Sequence, residues 1–157
     1  MDNEFISVLK LSSKLLRLKS SHEANTAIND LLDFNYFSVL GENGQSYGGP
    51  YQIMLDEADN KLVMHIQTKT DLIKLPLSLR PFNNMVKDYF LLFGSYHEAM
   101  RNGHPEKIEA LDMGRRSIHN EGAEKFINIL ENKINIDFET SRRFFTIIAA
   151  LMTKEQL

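Results

Sequence analysis

The segment Ile108–Ala123 holds the residues of this sequence that are best suited to chemistry. Placed on a helix at about 100° per residue, its isoleucine and leucine side chains define an apolar sector, with Arg115 near the centre and Gly122 beside it. An arginine in such a sector is desolvated at a high energetic cost unless a carboxylate meets it with good geometry. Asp112, three residues before Arg115 and four before Arg116, has the spacing for that pairing. The pattern therefore predicts an ion-paired cluster on one helix.

This cluster supports two interpretations. In the functional one, the arginines bind a phosphate or carboxylate and His119 is an acid–base or ligand-contacting group. In the structural one, which we favour, the charges form a network that fastens the helix to its neighbours. The candidate catalytic residue is His119. The candidate ligand-binding residues are Asp112, Arg115, Arg116, His119, Glu121, Arg142 and Arg143, with Lys87 and Asp88 as neighbours.

Composition excludes several other kinds of site. The chain has no cysteine, which excludes disulfides, thiol nucleophiles, iron–sulfur clusters and cysteine-type zinc sites. None of its five histidines has a metal-ligand spacing such as His-Glu-x-x-His, so we expect neither a metal nor a cofactor. The glycine-rich stretch Gly41–Pro50 lacks both a Gly-Lys-Ser/Thr ending and Gly-x-Gly-x-x-Gly, and is interpreted as a flexible connection.

Charge argues against a general nucleic-acid binder. The 18 Lys and Arg and 21 Asp and Glu residues give a net charge of −3, whereas such proteins need a large positive excess. The run Lys10–Lys19 has four basic and no acidic residues and can form a short basic amphipathic helix. A solvated face is favoured there, and contact with RNA or a lipid surface stays open as the alternative.

The elements that must position these residues divide the chain in two. The first half predicts a strand at residues 4–11, a helix from Glu23 or Ala24 to Phe34, a hairpin, and an edge strand Ile73–Leu79 containing Pro76. The hairpin pairs residues 51–55 with 62–67 around a turn at 56–60.

The second half is predicted to be helical. Its helices run from Phe82 to Asn102, from Pro105 to Asn132 with a bend or pause near Gly114 and Gly122, and onward from Asp137. Four aromatic residues of the first of these helices are predicted to lie in the core: Tyr89, Phe90, Phe93 and Tyr96.

Together these elements predict an α+β fold in one domain, residues 1–157. The strand-rich half, 1–79, forms a small antiparallel sheet with one helix, and the helical half, 80–157, forms a bundle of three to four helices. The acidic N-terminus is unlike a secretory signal, and no window of about 20 residues is predominantly apolar. We therefore expect a cytoplasmic protein.

Several motifs of the chain resemble those of a known family, the uncharacterised protein family numbered 0262 in the UPF series, from alphaproteobacteria. The resemblance covers about residues 36–151, and the residues before 36 match poorly. The family has no assigned activity, so the resemblance implies no catalytic role. The motifs are Gly48-Gly49-Pro50-Tyr51, Pro81-Phe82, Val86-Lys87-Asp88-Tyr89-Phe90, Ser95-Tyr96, Glu98-Ala99, Ile108–Arg116, His119–Gly122, Asp137-Phe138 and Arg142–Thr146.

We therefore expect a non-enzymatic binding or interaction module whose polar cluster binds a small anion or a protein partner. One alternative is an enzyme acting on a small anionic substrate, with His119 as its acid–base group. A second alternative is an RNA- or ribosome-associated factor that uses the basic run. A homo-oligomer stays open, and no membrane association is expected.

Overall fold

The computed structural model describes residues 3–18 and 21–152 of the chain. It confirms the α+β class, with a sheet built mainly from the first half and long helices in the second. The strands are β1 (Ile6–Leu11), β2 (Phe37–Val39), β3 (Tyr51–Ala58), β4 (Lys61–Gln67), β5 (Leu72–Ser78) and β6 (Ile134–Ile136). The helices are α1 (Ser13–Leu16), α2 (Ser21–Asp33), α3 (Asn83–Asn102), α4 (Pro105–Ile129) and α5 (Phe138–Met152), with a 3₁₀ turn at Arg80–Phe82.

The main sheet has four strands in the order β1-β3-β4-β5 and is mixed. β1 pairs with β3 in parallel, placing Leu9 opposite Ile53, while the other pairs are antiparallel. The expected all-antiparallel sheet is therefore wrong at β1. A parallel pair needs a long crossover, and the segment with α1, α2 and β2 provides it.

The β3–β4 hairpin is tighter than predicted. Its turn consists of Asp59 and Asn60 alone, with φ angles of 53° and 60°, as in a two-residue type I′ turn. The predicted turn at 56–60 was too long, because Asp56 and Glu57 still pair with β4. The edge position of Pro76 is confirmed, since β5 is the last strand of the sheet.

A two-stranded ribbon joins the two halves of the chain. β2 pairs antiparallel with β6, with Ser38 opposite Asn135. The expectation of helices alone after residue 80 is therefore wrong at β6. The helix predicted to reach Asn132 ends at Ile129, and Asn132 has a positive φ of 68°.

α4 runs without interruption through both of its inner glycines, so the predicted pause is wrong. A Cβ at Gly122 would overlap the ring of Phe145 on α5, whereas one at Gly114 would lie 3.4 Å from Leu92 on α3. The glycine at 122 thus allows α4 to pack closely on α5.

The hydrophobic core draws side chains from both halves. Its largest fully buried side chains are aromatic: Tyr51, Phe37, Phe82, Phe126, Phe144 and Phe145. In the outer parts of α3 and α4, which we call the outer hairpin (residues 87–118), Ala99 alone is buried, and the structure describes every residue of that range. The remaining parts of the described chain are called the body.

Placing Phe90, Phe93 and Tyr96 in the core was wrong, because none of them is buried and Phe93 is 44% exposed. Tyr89 is partly buried and packs against the core. α3 packs chiefly on α4, so only one side of α3 is covered. In the part of the chain that the structure describes, no helix is both long enough and apolar enough to span a bilayer.

Candidate functional site

Asp112 is the centre of the predicted charge cluster. Its Oδ1 accepts a hydrogen bond from Nη2 of Arg115 at 2.7 Å, and its Oδ2 lies 2.8 Å from Nη2 of Arg116. The hydrogen bond from Arg115 is the largest influence on the pKa of Asp112, which is lowered. The carboxylate is therefore ionised at neutral pH and engages both arginines within one helix.

Arg115 is less buried than its place in the apolar sector predicts. Its side chain is 39% exposed, and its guanidinium lies over the ring of Tyr96, 5.7 Å from the centroid. The side chain of Arg116 is 68% exposed. The expected desolvation is thus wrong, because α3 alone covers this part of α4 and the charged ends reach solvent at its edge.

His119 is the buried member of the cluster, with 8% of its surface exposed. Its ring lies edge-on between Tyr89 of α3 and Phe145 of α5, at centroid distances of 5.1 and 5.7 Å. Nδ1 is 3.0 Å from the carbonyl oxygen of Arg115. A carbonyl can only accept, so Nδ1 donates its proton in this bond.

Burial is the main cause of the lowered pKa of His119, and the charges of Arg142 and Arg115 lower it further against the opposing effect of the backbone hydrogen bond. The neutral ring therefore predominates at pH 7. It joins three helices by packing, and its one hydrogen bond stays within its own helix.

The remaining candidates are distributed over separate places. Arg142 of α5 donates from Nε to Oδ1 of Asn120 at 3.2 Å, so it neighbours the cluster. Arg143 instead donates to the carbonyl of Phe34 at the end of α2, at 2.9 Å. Glu121 is exposed, and within residues 3–18 and 21–152 its side chain makes no hydrogen bond or ion pair.

Lys87 and Asp88 are also exposed, and neither pairs with the arginines of the cluster among the described residues. The structure therefore brings Asp112, Arg115, Arg116 and His119 together and places Arg142 at their border.

The basic run divides into parts that do not share one face. Lys10 is exposed on β1, whereas Lys14 lies on the single turn of α1. Nζ of Lys14 is 3.3 Å from the carboxylate of Glu57 and donates to the carbonyl of the same residue at 2.7 Å. The predicted basic helix is limited to Ser13–Leu16, and Lys19 lies outside the described residues.

The glycine-rich loop is tied down through Glu4, which the sequence analysis did not single out. The carboxylate of Glu4 accepts hydrogen bonds from Ser46 at 2.5 Å and from the buried Tyr51 hydroxyl at 2.7 Å. Burial would raise the pKa of Glu4, but these bonds and one from Ser38 outweigh it, and the pKa is lowered. Side-chain hydrogen bonds of Ser46 therefore attach Gly41–Pro50 to Glu4, which precedes β1, and to Tyr51 of β3.

An exposed apolar stripe on α3 is the feature that sequence reasoning missed. One series at spacings of 4, 3, 4 and 3 residues faces α4, and a second series with the same spacing lies beside it, as in a heptad repeat. The sequence did contain this signal, because a helix that packs on one neighbour can cover only one of two adjacent apolar series. The first series is Met85, Tyr89, Leu92, Tyr96 and Ala99, and the second is Val86, Phe90, Phe93, His97 and Met100.

We call the outer part of the second series the α3 seam: the half-buried Phe90 and the exposed Phe93, His97 and Met100. Phe93 is 44% exposed and Met100 55% exposed. Lys87 and Arg101 lie along one border of the seam, two heptads apart. On the other border lies Tyr96, the residue whose ring Arg115 covers. The α3 seam is thus an apolar stripe with Lys87, Arg101 and the exposed Glu98 on one border and Tyr96, covered by Arg115, on the other.

In the described ranges, no three or more His, Asp or Glu side chains are grouped so that they could hold a metal ion. Fold and site together define an α+β protein with a mixed sheet, a packed helical layer and an outer helical hairpin that carries a charged and apolar surface.

The chain belongs to the uncharacterised protein family UPF0262, whose family model matches residues 6–154. A UPF0262 protein of Rhizobium etli is 46% identical over 132 residues, covering 83% of this chain and 82% of that protein. One of Agrobacterium fabrum is 45% identical over the same shares, and one of Hyphomonas neptunium is 46% identical over 84% of this chain and 80% of that protein. No solved structure matches the chain.

The family match extends well before residue 36, where the motif resemblance ended. It begins at residue 6, at the start of β1, and so includes α2. The expectation of a poor match there is therefore wrong, because the apolar faces of β1 and α2 belong to the core although they form no distinctive motif.

Proposed function

We propose that this protein is a non-enzymatic interaction module whose outer hairpin binds an amphipathic helix with acidic flanks from a partner protein. The observation that carries the proposal is the α3 seam: an exposed heptad stripe with the unpaired Lys87 and Arg101 on one border and Arg115 near the other. Helices commonly bind to each other through apolar residues at these spacings.

Phe93 and Met100 supply the apolar surface for a partner helix. Both are large side chains exposed at heptad spacing on an element whose other side already packs on α4. A helix laid along α3 would remove both from water, which is the main favourable contribution in such complexes.

Charge specifies the kind of helix. Lys87 and Arg101 are exposed and, among the residues described, have no hydrogen-bond or ion-pair partner. Acidic residues flanking the stripe of a partner helix would complement them. An antiparallel second copy of α3 would instead bring Lys87 of one chain near Arg101 of the other, and like charges oppose that pairing.

The charge cluster adds to the same surface. Arg115 and Arg116 are held by Asp112 and are partly exposed. A carboxylate of the partner can therefore compete with Asp112 for the two guanidinium groups, which bind carboxylates well. In this proposal the cluster takes part in partner binding.

The surroundings of His119 favour binding over catalysis. The ring is largely buried between two aromatic side chains, and its Nδ1 bonds to its own helix. This arrangement supports a packing role over that of an acid–base group acting on an anionic substrate.

A synthetic heptad-repeat peptide with Leu at the apolar positions and Glu at the flanking ones tests the proposal. The same peptide with Lys in place of Glu is its control. In fluorescence anisotropy titrations, we expect the acidic peptide to bind and the basic peptide not to bind. Met100→Glu should weaken binding by about tenfold or more, because it places a carboxylate in the stripe.

Met113→Glu is the matched control variant. Met113 is 64% exposed, on the side of α4 that points away from α3, so its replacement should leave affinity unchanged. Circular dichroism checks that both variants fold. Equal binding of both peptides, or full binding by Met100→Glu, would overturn the proposal. So would a wild-type dimer in sedimentation that Met100→Glu separates, because a second copy would then occupy the seam.

A further inference from the structure

A pocket of about 240 Å³ opens into the body between the sheet and the first turn of α3. Its apolar walls come from α1, β4, the residue that follows β5, α3 and α5, and all of these side chains except Met152 are at most 7% exposed. Because packed elements hold the walls, the pocket is formed before any ligand arrives. The walls include Leu62, Leu79, Val86, Ile148 and Leu151.

The mouth of the pocket is polar. Asn60, Asn83 and Lys87 are exposed residues that line it. In the described part of the chain, none of these three side chains has a hydrogen-bond or ion-pair partner. A few polar groups converging on an apolar interior are typical of small-molecule sites.

The charge at the mouth favours an anion. Glu57 also lines the pocket, but its carboxylate lies 3.3 Å from the ammonium of Lys14. Lys14 thus neutralises Glu57, and Lys87 is the charged lining residue that has no ion-pair partner among the described residues. Asn83 begins the first turn of α3, which contains no acidic residue, and Lys87 begins its second turn.

We propose that this pocket binds a short aliphatic monocarboxylate. The hydrocarbon chain lies among the apolar walls, where burial removes it from water. The carboxylate lies at the mouth, where the Lys87 ammonium and the Asn83 amide donate hydrogen bonds to it. The volume is below the range of about 300–1,000 Å³ typical of pockets for larger ligands, which fits a short chain.

The pocket and the proposed partner surface share Lys87, which lies at the mouth of the pocket and on one border of the α3 seam, but the other residues that test the two proposals differ. Neither Phe93 nor Met100 lines the pocket, and neither Leu62 nor Ile148 belongs to the α3 seam. Either proposal can therefore fail without the other.

Octanoate, titrated into protein with ¹³C-labelled methyl groups, provides the test. We expect the methyl resonances of Leu62, Ile148 and Leu151 to shift, and those of Leu72 and Ile134, which do not line the pocket, to stay in place. Octylamine, which has the opposite charge on a chain of the same kind, should bind more weakly than octanoate.

Lys87→Gln should weaken octanoate binding by up to about fivefold, which is the upper end of the range for one exposed charge pair. Lys125→Gln, at an exposed site on α4 outside the pocket, should leave it unchanged. Asn83→Trp, which narrows the mouth without altering the core, should abolish the shifts. The proposal is overturned if octanoate leaves the pocket methyls in place, if octylamine binds equally well, or if Lys87→Gln has no effect.

Discussion

The body and the outer hairpin use similar residues for different purposes. In the body, Phe126, Phe144 and Phe145 are fully buried where α4 and α5 meet the sheet. In the outer hairpin, aromatic and methionine side chains at comparable helical spacing stay partly or largely exposed. The difference shows that helical periodicity defines an apolar face, while burial needs a second element to cover that face.

The two regions differ in how many helices cover each helix. α5 packs against both α2 and α4, whereas the outer part of α3 has α4 as its main neighbour. The body thus carries most of the stability, and the outer hairpin presents a surface. The following predictions test this contrast, beginning with the largest effect.

Removing one phenylalanine from each region gives the largest contrast. Phe145→Ala should lower the free energy of unfolding by about 3–5 kcal/mol, because it leaves a cavity in a packed core. Phe93→Ala should lower it by less than about 1 kcal/mol, since 44% of Phe93 is exposed. Urea denaturation measures both. Equal losses would show that the α3 seam is packed within the monomer.

Two glycines within helices give a contrast of opposite sign. Gly122→Ala should lower stability by about 1–3 kcal/mol, because the new Cβ overlaps the ring of Phe145. A Cβ at Gly94 of α3 meets nothing within 4 Å, so Gly94→Ala should raise stability by up to about 1 kcal/mol. Thermal unfolding of both variants checks this pair. A loss of stability in Gly94→Ala would mean that another part of the chain packs against α3 at this position.

Acid should destabilise the junction of the two regions through His119. Its pKa is lowered in the folded chain, mainly by burial, from the ordinary value of 6.5. The unfolded chain therefore takes up this proton first, and stability decreases as the pH falls through 6.5. His119→Leu should remove that part of the decrease, at most about 1.4 kcal/mol per pH unit.

Denaturant titrations from pH 7.5 to 5.5 provide the measurement. His22→Gln, at an exposed site on α2, is the control and should retain the wild-type dependence on pH. A His119→Leu profile parallel to that of the wild type would contradict the predicted proton uptake.

Asp112→Asn gives the smallest effect and concerns binding. It releases Arg115 and Arg116, so the acidic peptide should bind about two- to fivefold more tightly if the arginines face the partner. Glu109→Gln removes the same charge from an exposed site on α4 without releasing an arginine and should change affinity less. Equal changes in affinity for the two variants would mean that the net charge of the protein alone controls peptide binding.

Part of the site was predictable because it depends on local spacing. Asp112 pairs with Arg115 and Arg116 at three and four residues, as a helix requires. Exposure of Arg115 was not predictable in this way. Helical periodicity placed Arg115 in an apolar sector of α4. The number of helices that cover this sector depends on the path of the whole chain.

The same limit applies to the fold. The end of α3 at Asn102 follows from the glycine that comes next, and the edge position of β5 follows from its proline. The pairing of β2 with β6 joins residues about 100 positions apart, and the three residues of β6 carry no strong pattern alone.

The sequence by itself determined the α+β class, the long helices and the Asp112 ion pairs, because backbone preferences and neighbouring turns of a helix act over a few residues. Tertiary structure alone decided that β1 lies parallel to β3, that Glu4 anchors the glycine-rich loop, and which of two equally spaced stripes on α3 is covered. Those outcomes depend on which distant element arrives beside each face. One helix, α4, packs along α3, so one stripe is covered and the α3 seam faces outward.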